Sequence, residues 1–358
     1  MSSMTHTRTD VSLEVFLGVD THKNTHHAAL VDHLGRAVGD CEFTADPDGY
    51  RQLLVWTAGA GVVVRAGVEG TGSYGAGLTR VLRAAGIVVA EVCEPDRAAR
   101  RRHGKSDPVD AYAAAAAALS GRAQVVPKTR DGDVESIRLL HNVRRSAVKD
   151  RAQALTQLKS TIVSAPEPLR TQLRGLTRKK LVTTCAGLRP GSIVDGGVLA
   201  AAKLALKSLA TRIRHLDTEV AACDKQLTLL TRRTAPQLLA LVGVGVETAS
   251  QLLCTVGDNR DRITSEASLA ALCGVAPLLA SSGKTNRHRL NRGGDRQANR
   301  ALHVIVLSRL KHDPRSKDYM ARRIAEGKSK RETIRCLKRY VAREIFGVLN
   351  PRIALDTS

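Results

Sequence analysis

Gly104-Lys105-Ser106-Asp107-Pro108-Val109-Asp110, running into Ala111-Tyr112 and six alanines, opens a strong helix former with two carboxylates. Their spacing of three puts Asp107 and Asp110 on one helix face. A basic run, Arg97-Ala98-Ala99-Arg100-Arg101-Arg102-His103, precedes them, and Leu119-Ser120-Gly121 supplies a glycine stop. Two acids facing one spot beside a cationic segment suit a metal ion and a phosphate. The same residues also suit plain capping, with Asp107 as N-cap before Pro108 and Asp110 at the capping-box position. The rest of the chain has to choose between these.

Upstream, Glu14 to Asp20 reads as a buried strand ending in an acid. Asn24–Val31 and Arg36–Thr44 read as two more strands, joined by the turn Asp32-His33-Leu34-Gly35. A helix is expected over Asp48–Thr57, and a Val-rich strand over Val62–Val68 that runs into Glu69-Gly70-Thr71-Gly72-Ser73-Tyr74. A helix to about Ala85, a strand over Ile87–Val92 and the alanine helix complete the order β-β-β-α-β-α-β-α. Sites in open α/β sheets gather at the carboxyl ends of strands. Asp20 and Glu69 converge there if their strands are neighbours. Crowded carboxylates repel, and a divalent ion relieves the repulsion.

The chain has 358 residues, enough for two or three domains, with 56 Lys and Arg against 34 Asp and Glu, a net charge of +22. Such an excess points to a polyanionic partner, nucleic acid foremost. It is uneven: Lys284 to Arg343 holds 19 Lys and Arg against 5 Asp and Glu. Aromatics are only 3%, so stacking platforms are not the main contact. No apolar run is long enough to span a bilayer, and the first residues lack a secretory apolar core, so a cytoplasmic protein with no membrane partner is expected. Seven scattered cysteines without a Cys-x-x-Cys pair fit a reducing compartment and exclude a zinc knuckle or disulfide frame.

The interval 126–232 reads as a helical spacer. Val134–Val163 is polar, basic and helix-forming, ended by Pro166 and Pro168. Leu206, Leu209, Ile213, Leu216, Val220, Cys223, Leu227 and Leu230 recur at steps of three and four, a heptad seam. The seam serves either an antiparallel pairing with the first helix or a dimerising coiled coil.

Beyond it, Pro236 to Ser250 has the look of a helix-hairpin-helix, whose Gly243-Val244-Gly245 turn offers backbone N–H groups to a DNA phosphate; a plain glycine-linked hairpin is the alternative. Next comes Gly274 to Thr285, with Ser281-Ser282-Gly283 ahead of Arg287, His288, Arg289 and Arg292. Ser-Gly is a common turn, and a serine hydroxyl is a poor nucleophile until deprotonated or polarised. Lys105, Lys284, Arg287, Arg289, Arg292 and Arg296 are the candidate phosphate contacts, and helices between Arg309 and Arg343 present further basic faces.

Leu17-Gly18-Val19-Asp20-Thr21-His22-Lys23, Glu69-Gly70-Thr71-Gly72-Ser73-Tyr74 and Lys105-Ser106-Asp107-Pro108-Val109-Asp110 together resemble the DEDD motif of RNase H-fold, RuvC-like domains. More narrowly they resemble the DEDD-type transposases of bacterial insertion sequences, the family numbered one-ten. Pro277–Gly283 and Asn291-Arg292-Gly293-Gly294-Asp295-Arg296-Gln297-Ala298-Asn299-Arg300-Ala301-Leu302 look like that family's C-terminal transposase domain. The resemblance implies an α/β plus α protein: a tail over 1–12, a RuvC-like catalytic domain over 13–125, a coiled-coil spacer over 126–232, a mainly helical serine transposase domain over 233–349 and a tail over 350–358. It implies that Asp20, Glu69, Asp107 and Asp110 hold two Mg²⁺ ions and that Ser282, with Ser281 one residue away, is the nucleophile that forms a serine–DNA ester. It further implies donor and target DNA as substrates, a structured bridge RNA as guide, a homo-oligomer from dimer to tetramer, and a bacterial, nucleoid-associated location.

Three rival readings follow from the same residues. An actin-like sugar kinase shares Gly18-Val19-Asp20 but needs a second glycine-rich phosphate loop, which the chain lacks. A metal-dependent junction nuclease would use water and ignore the serine. A non-catalytic nucleic-acid-binding protein would keep the acids for structure alone.

Overall fold

The computed structural model describes residues 13–93, 106–281 and 288–350 and forms two compact units that divide after Thr129. The first is built on β1 (Glu14–Thr21), β2 (Thr25–Asp32), β3 (Ala37–Thr44), α1 (Pro47–Ala60), β4 (Val62–Glu69), α2 (Ala76–Ala84), β5 (Val88–Val92) and α3 (Asp107–Leu119). The expected order is therefore present. The sheet runs β3-β2-β1-β4-β5; β1, β2 and β3 form an antiparallel meander, while β4 and β5 lie parallel to β1 and β4.

Alternation along β1 sorts its side chains onto two faces. Val15, Leu17 and Val19 join Leu30, Val68, Leu53, Leu78 and Leu82 in an apolar core beneath α1 and α2. Gly18 and Asp20 point to the opposite face, which α3 covers. Gly18 pairs with Gly67 in the parallel register of β1 and β4. An added Cβ at Gly18 would lie 2.1 Å from the Ala111 carbonyl oxygen, and one at Gly67 2.4 Å from that of Ala114. The two glycines thus open a slot for α3, and Ala111, Ala114, Ala115 and Ala118 fill it with the thinnest side chains that bury apolar surface. Leu119 and Ser120 end the helix, with Gly121 beyond at φ 69°.

Among its described residues the second unit is helical apart from one short hairpin. Its frame is α4 (Asp133–Val163) against α7 (Ile193–Thr234), the latter interrupted at Gly197, where φ is 51° and ψ −137°. The pairing is antiparallel within the chain: Asp133 meets Arg233, Arg144 meets Asp224, and Arg151 meets Asp217. Leu206, Ile213, Leu216, Val220, Cys223 and Leu227 of the seam are buried, and Ala147, Ala154 and Leu158 of α4 pack in the same clusters. The seam thus serves this intrachain pair. Two short helices, α5 (Glu167–Leu173) and α6 (Arg178–Ala186), close the far end.

At the near end, Val134, Ile137 and Leu227 enter one core with α8 (Pro236–Leu239), α9 (Val246–Val256), α10 (Glu266–Leu272), α11 (Arg296–His312), α12 (Pro314–Ala325) and α13 (Lys330–Leu349). The hairpin is β6 (Leu278–Leu279) with β7 (His288–Arg289). Cys185, Cys223 and Cys273 are buried; burial pushes the Cys185 thiol up to about 11 and that of Cys273 up to about 12, so both are packing residues. Among the described residues no helix is long and apolar enough to cross a membrane.

Candidate metal centre and phosphate-binding segments

Asp20 is the next-to-last residue of β1 and Glu69 the last of β4, at the carboxyl ends of two adjacent parallel strands. Both share the parity of the paired glycines, so both face the α3 side. Thr21 Oγ1 donates to the Glu69 carbonyl oxygen at 3.0 Å and ties the two strand ends together. The slot at Gly18 and Gly67 sets the height of α3, and with it the place of the two acids in its first turn.

Asp107 does not cap that helix. Ser106 is the N-cap, with no side-chain capping bond, and Pro108 falls in the first turn. The Asp107 carboxylate instead meets His22: His22 Nε2 lies 3.4 Å from Asp107 Oδ1 and 3.2 Å from Asp20 Oδ2. One donor atom from each of Asp20, His22 and Asp107 lies within 4.8 Å of the other two. Asp20 is 7% exposed and Asp110, one turn further on, 3% exposed on the buried face of the helix. This donor set, two carboxylates and an imidazole converging at the carboxyl end of the central strands, fits a divalent cation.

His22 is the residue that the motif reading passed over. A histidine just after a strand is unremarkable by itself, and its partner Asp107 is distant in sequence. Cross-strand neighbours add a polar shell. His27 pairs in register with Asp20 and donates from Nε2 to Asp40 Oδ2 at 2.7 Å; the Tyr112 hydroxyl of α3 donates to Asp40 Oδ1 at 3.0 Å. These bonds, that of His27 first, hold the Asp40 carboxyl below the usual carboxylate range. On the other face of β2, His26 is fully buried and stacked on Tyr50 at 5.7 Å; burial pushes its imidazole below the ordinary value.

In the second unit, Ser282, Lys284 and Arg287 lie outside the described residues, as does Lys105 of the first. Arg289, Arg292 and Arg296 are described and exposed. The Asn291–Leu302 motif has a structural task. Asn291 Oδ1 accepts from the Gly293 N–H; Gly293 and Gly294 back directly onto Gly274, where an added Cβ would lie 2.6 Å from the Gly293 carbonyl oxygen. Asp295 caps α11 through the N–H groups of Gln297 and Ala298, and Thr255 Oγ1 donates to its other oxygen. Asn299 Nδ2 donates to the carbonyl oxygens of Cys273 and Gly274, and Lys338 Nζ donates to Asn299 Oδ1 at 2.7 Å. Burial holds the Lys338 ammonium below its usual value. The motif stitches together the two ends of the segment that carries β6, Ser282 and β7.

At the helix-hairpin-helix segment, Arg309 pins the glycine turn, donating from Nε to the Val242 carbonyl oxygen at 2.8 Å and pairing with Glu344. The Gly245 N–H donates to Thr248 Oγ1. Glu247, in the first turn of α9, is held below the usual range, first by its hydrogen bond from His141. An acid there opposes a phosphate at the same helix end, so this turn is a packing hairpin first.

Two family models match the chain. One, described as a transposase of the DEDD type of IS110, covers residues 17–165 and so includes all four acids; the other, described as the transposase IS116/IS110/IS902 family, covers residues 235–321. The chain belongs to the IS110 family of transposases. Among its relatives, the 43.6 kDa protein of insertion element IS110 from Streptomyces coelicolor is 33% identical over 149 residues, which are 41% of this chain and 36% of the relative. The 42 kDa protein of insertion element IS900 from Mycobacterium paratuberculosis is 30% identical over 161 residues, 44% of this chain and 40% of that protein. The chain thus spans well under half the length of these two. It aligns with the IS117 mini-circle protein of Streptomyces coelicolor over 76% of its own length and 78% of the relative's, at 27% identity. A mixed sheet followed by helices, as an IS110-family RuvC-like domain requires, is the architecture observed.

Proposed function

We propose that this chain is the DNA recombinase of an insertion element, cutting and rejoining DNA through a serine ester. The observation that carries the reading is the convergence of Asp20, His22 and Asp107 donor atoms within 4.8 Å of one another, at the carboxyl end of the central strand pair where Glu69 also ends a strand. Asp20, Glu69, Asp107 and Asp110 would hold two Mg²⁺ ions. Bound there, the ions supply Lewis-acid charge at a phosphoryl oxygen. The carboxylates would fix the position of that charge and balance it.

Ser282 Oγ attacks phosphorus. An O–P bond forms as one phosphate–sugar ester bond breaks; the serine proton passes to solvent and the departing sugar oxygen takes one up. Attack by another sugar hydroxyl reverses the exchange and frees the serine, so bond energy is conserved and no ATP is needed. Arg289, Arg292 and Arg296, with Lys105, Lys284 and Arg287, neutralise phosphates. The net charge of +22 and the scarcity of aromatics support recognition through backbone and shape, consistent with a structured guide RNA that reads donor and target DNA by pairing. We place the catalytic acids in a domain over 13–125 and the serine in one over 233–349, acting in a dimer or tetramer.

The test is a denaturing gel with end-labelled donor DNA. Wild type gives a protein–DNA adduct; Ser282→Ala gives none; Asp107→Asn gives neither adduct nor cleavage. Cleavage by Ser282→Ala at the wild-type rate would replace this reading with that of a water-using junction nuclease. Sequencing the RNA that co-purifies with the protein tests the guide.

A further inference from the structure

His22 sits at the centre of the acid cluster without making a good hydrogen bond to either neighbour. Its Nε2 carries one hydrogen or one lone pair, never two hydrogens. It faces two carboxylate oxygens, at 3.2 and 3.4 Å, at and beyond the long edge of an N–H···O bond. A single N–H reaches both only as a long, shared bond that satisfies neither well. The backbone fixes the ring's starting point, because the His22 N–H donates to the Thr25 carbonyl oxygen at 3.0 Å and closes the β1–β2 turn. The side chains of His22 and Asp107 are about half exposed, so an ion can enter, while Asp20 is buried and rigid on its strand. A nitrogen and two oxygens facing a common point, with like charges on the oxygens, are poorly satisfied by one proton and well satisfied by one cation.

We infer that His22 is itself a ligand of the cation that Asp20 and Asp107 hold, making the centre a mixed nitrogen–oxygen site. This rests on the metal reading of the four acids and adds a donor that the four-carboxylate motif does not contain. The consequence is selectivity. Oxygen-only sites suit Mg²⁺, whereas imidazole favours first-row transition ions. The centre therefore prefers Mn²⁺ to Mg²⁺, and His22 is the source of the preference.

Mn²⁺ added to the full-length protein tests this without any turnover. Electron spin-echo modulation of the bound ion is expected to show coupling to one imidazole ¹⁴N, absent in His22→Ala. Titration calorimetry should show His22→Ala weakening Mn²⁺ roughly tenfold or more, with Mg²⁺ affinity moving much less, so that the preference collapses. Bound Mn²⁺ in the wild type with no ¹⁴N coupling, and equal affinity in His22→Ala, would overturn the role of His22 and leave the carboxylate centre standing. No Mn²⁺ binding at millimolar concentration, or binding that survives Asp20→Asn with Asp107→Asn, would overturn the metal reading and this inference with it. The spectrum of the wild type decides the point even if a variant misfolds.

Discussion

Gly18 and Gly67 stand opposite each other in the β1–β4 pair, and the backbone of α3 rests on both. The obstacle to a side chain at either place is helix backbone, which cannot rotate away. Gly18→Ala is expected to destabilise the first unit by about 3 kcal/mol, the upper part of the range for overpacking. Urea denaturation followed by circular dichroism measures it. A loss below about 0.5 kcal/mol would mean that α3 does not sit at this height.

Asp107 bonds no backbone group as a cap, so its removal should spare the fold. Asp107→Asn is expected to melt within a few degrees of wild type in metal-free buffer. In Mn²⁺ the wild type should gain in melting temperature by mass action and the variant should not. A scanning calorimeter with and without chelator checks both halves.

His26 gives the first unit a pH dependence of definite sign. Its Nδ1–H donates to the Thr25 carbonyl oxygen, its Nε2 has no hydrogen-bond partner among the described residues, and burial depresses its pKa below 6.5. Above pH 6.5 the ring is neutral folded or unfolded, and its contribution is complete. As pH falls through 6.5 the unfolded chain takes up a proton that the folded chain refuses, so stability declines until the folded pKa is passed. His26→Phe should flatten this part of the stability–pH curve, measured by denaturant midpoints between about pH 5 and pH 7.5, roughly the span over which histidine titrates. His22 and Asp20 act on the ring with opposite signs and leave burial dominant.

Asn299→Ala should cost about 2 kcal/mol, because it strands the Cys273 and Gly274 carbonyl groups and the Lys338 ammonium at once. Lys338→Met in the same background should recover part of that loss by removing the unpaired charge. A double-mutant cycle in urea tests the coupling, and additive losses would contradict the clamp.

Arg292 and Arg296 are exposed on either side of the Gly293–Gly294 turn. If each neutralises a phosphate, removing one flattens the dependence of log Kd on log salt by about 0.9 on duplex DNA. Fluorescence anisotropy over a salt series checks this for Arg292→Ala and Arg296→Ala singly and together.

Much of the first unit was readable in the chain. Acids at strand ends and a helix-opening pair announced where the carboxyl end of the sheet would collect charge, and the element order followed from alternating apolar runs. The alanines were legible only as helix formers. Their thinness mattered more, and the available signal was a glycine inside each of two strands, two residues before an acid, which marks close approach of another backbone. His22 was invisible because its meaning depends on Asp107, brought near only by tertiary packing. The seam from Leu206 to Leu230 left its partner open, since periodicity records a buried face and not what buries it; charge pairs such as Arg144 with Asp224 supply the missing direction. The Asn291–Leu302 motif was legible as a resemblance to a transposase domain and as a source of arginines, but not as a clamp whose asparagines and glycines act on backbone, a task that composition does not show.

Gly274 and Gly293 lie back to back, and Asn299 and the Asp295 N–H tie the two chain ends there to the same helices. Val275, just inside the first of these ends, packs on the helical core, and the Val275 and Ala276 N–H groups both donate to the Ala270 carbonyl oxygen, so the helices set where the peptide leaves and returns. Grafting the corresponding stretch from the IS117 relative should therefore yield a protein that folds as before, whatever DNA it then handles.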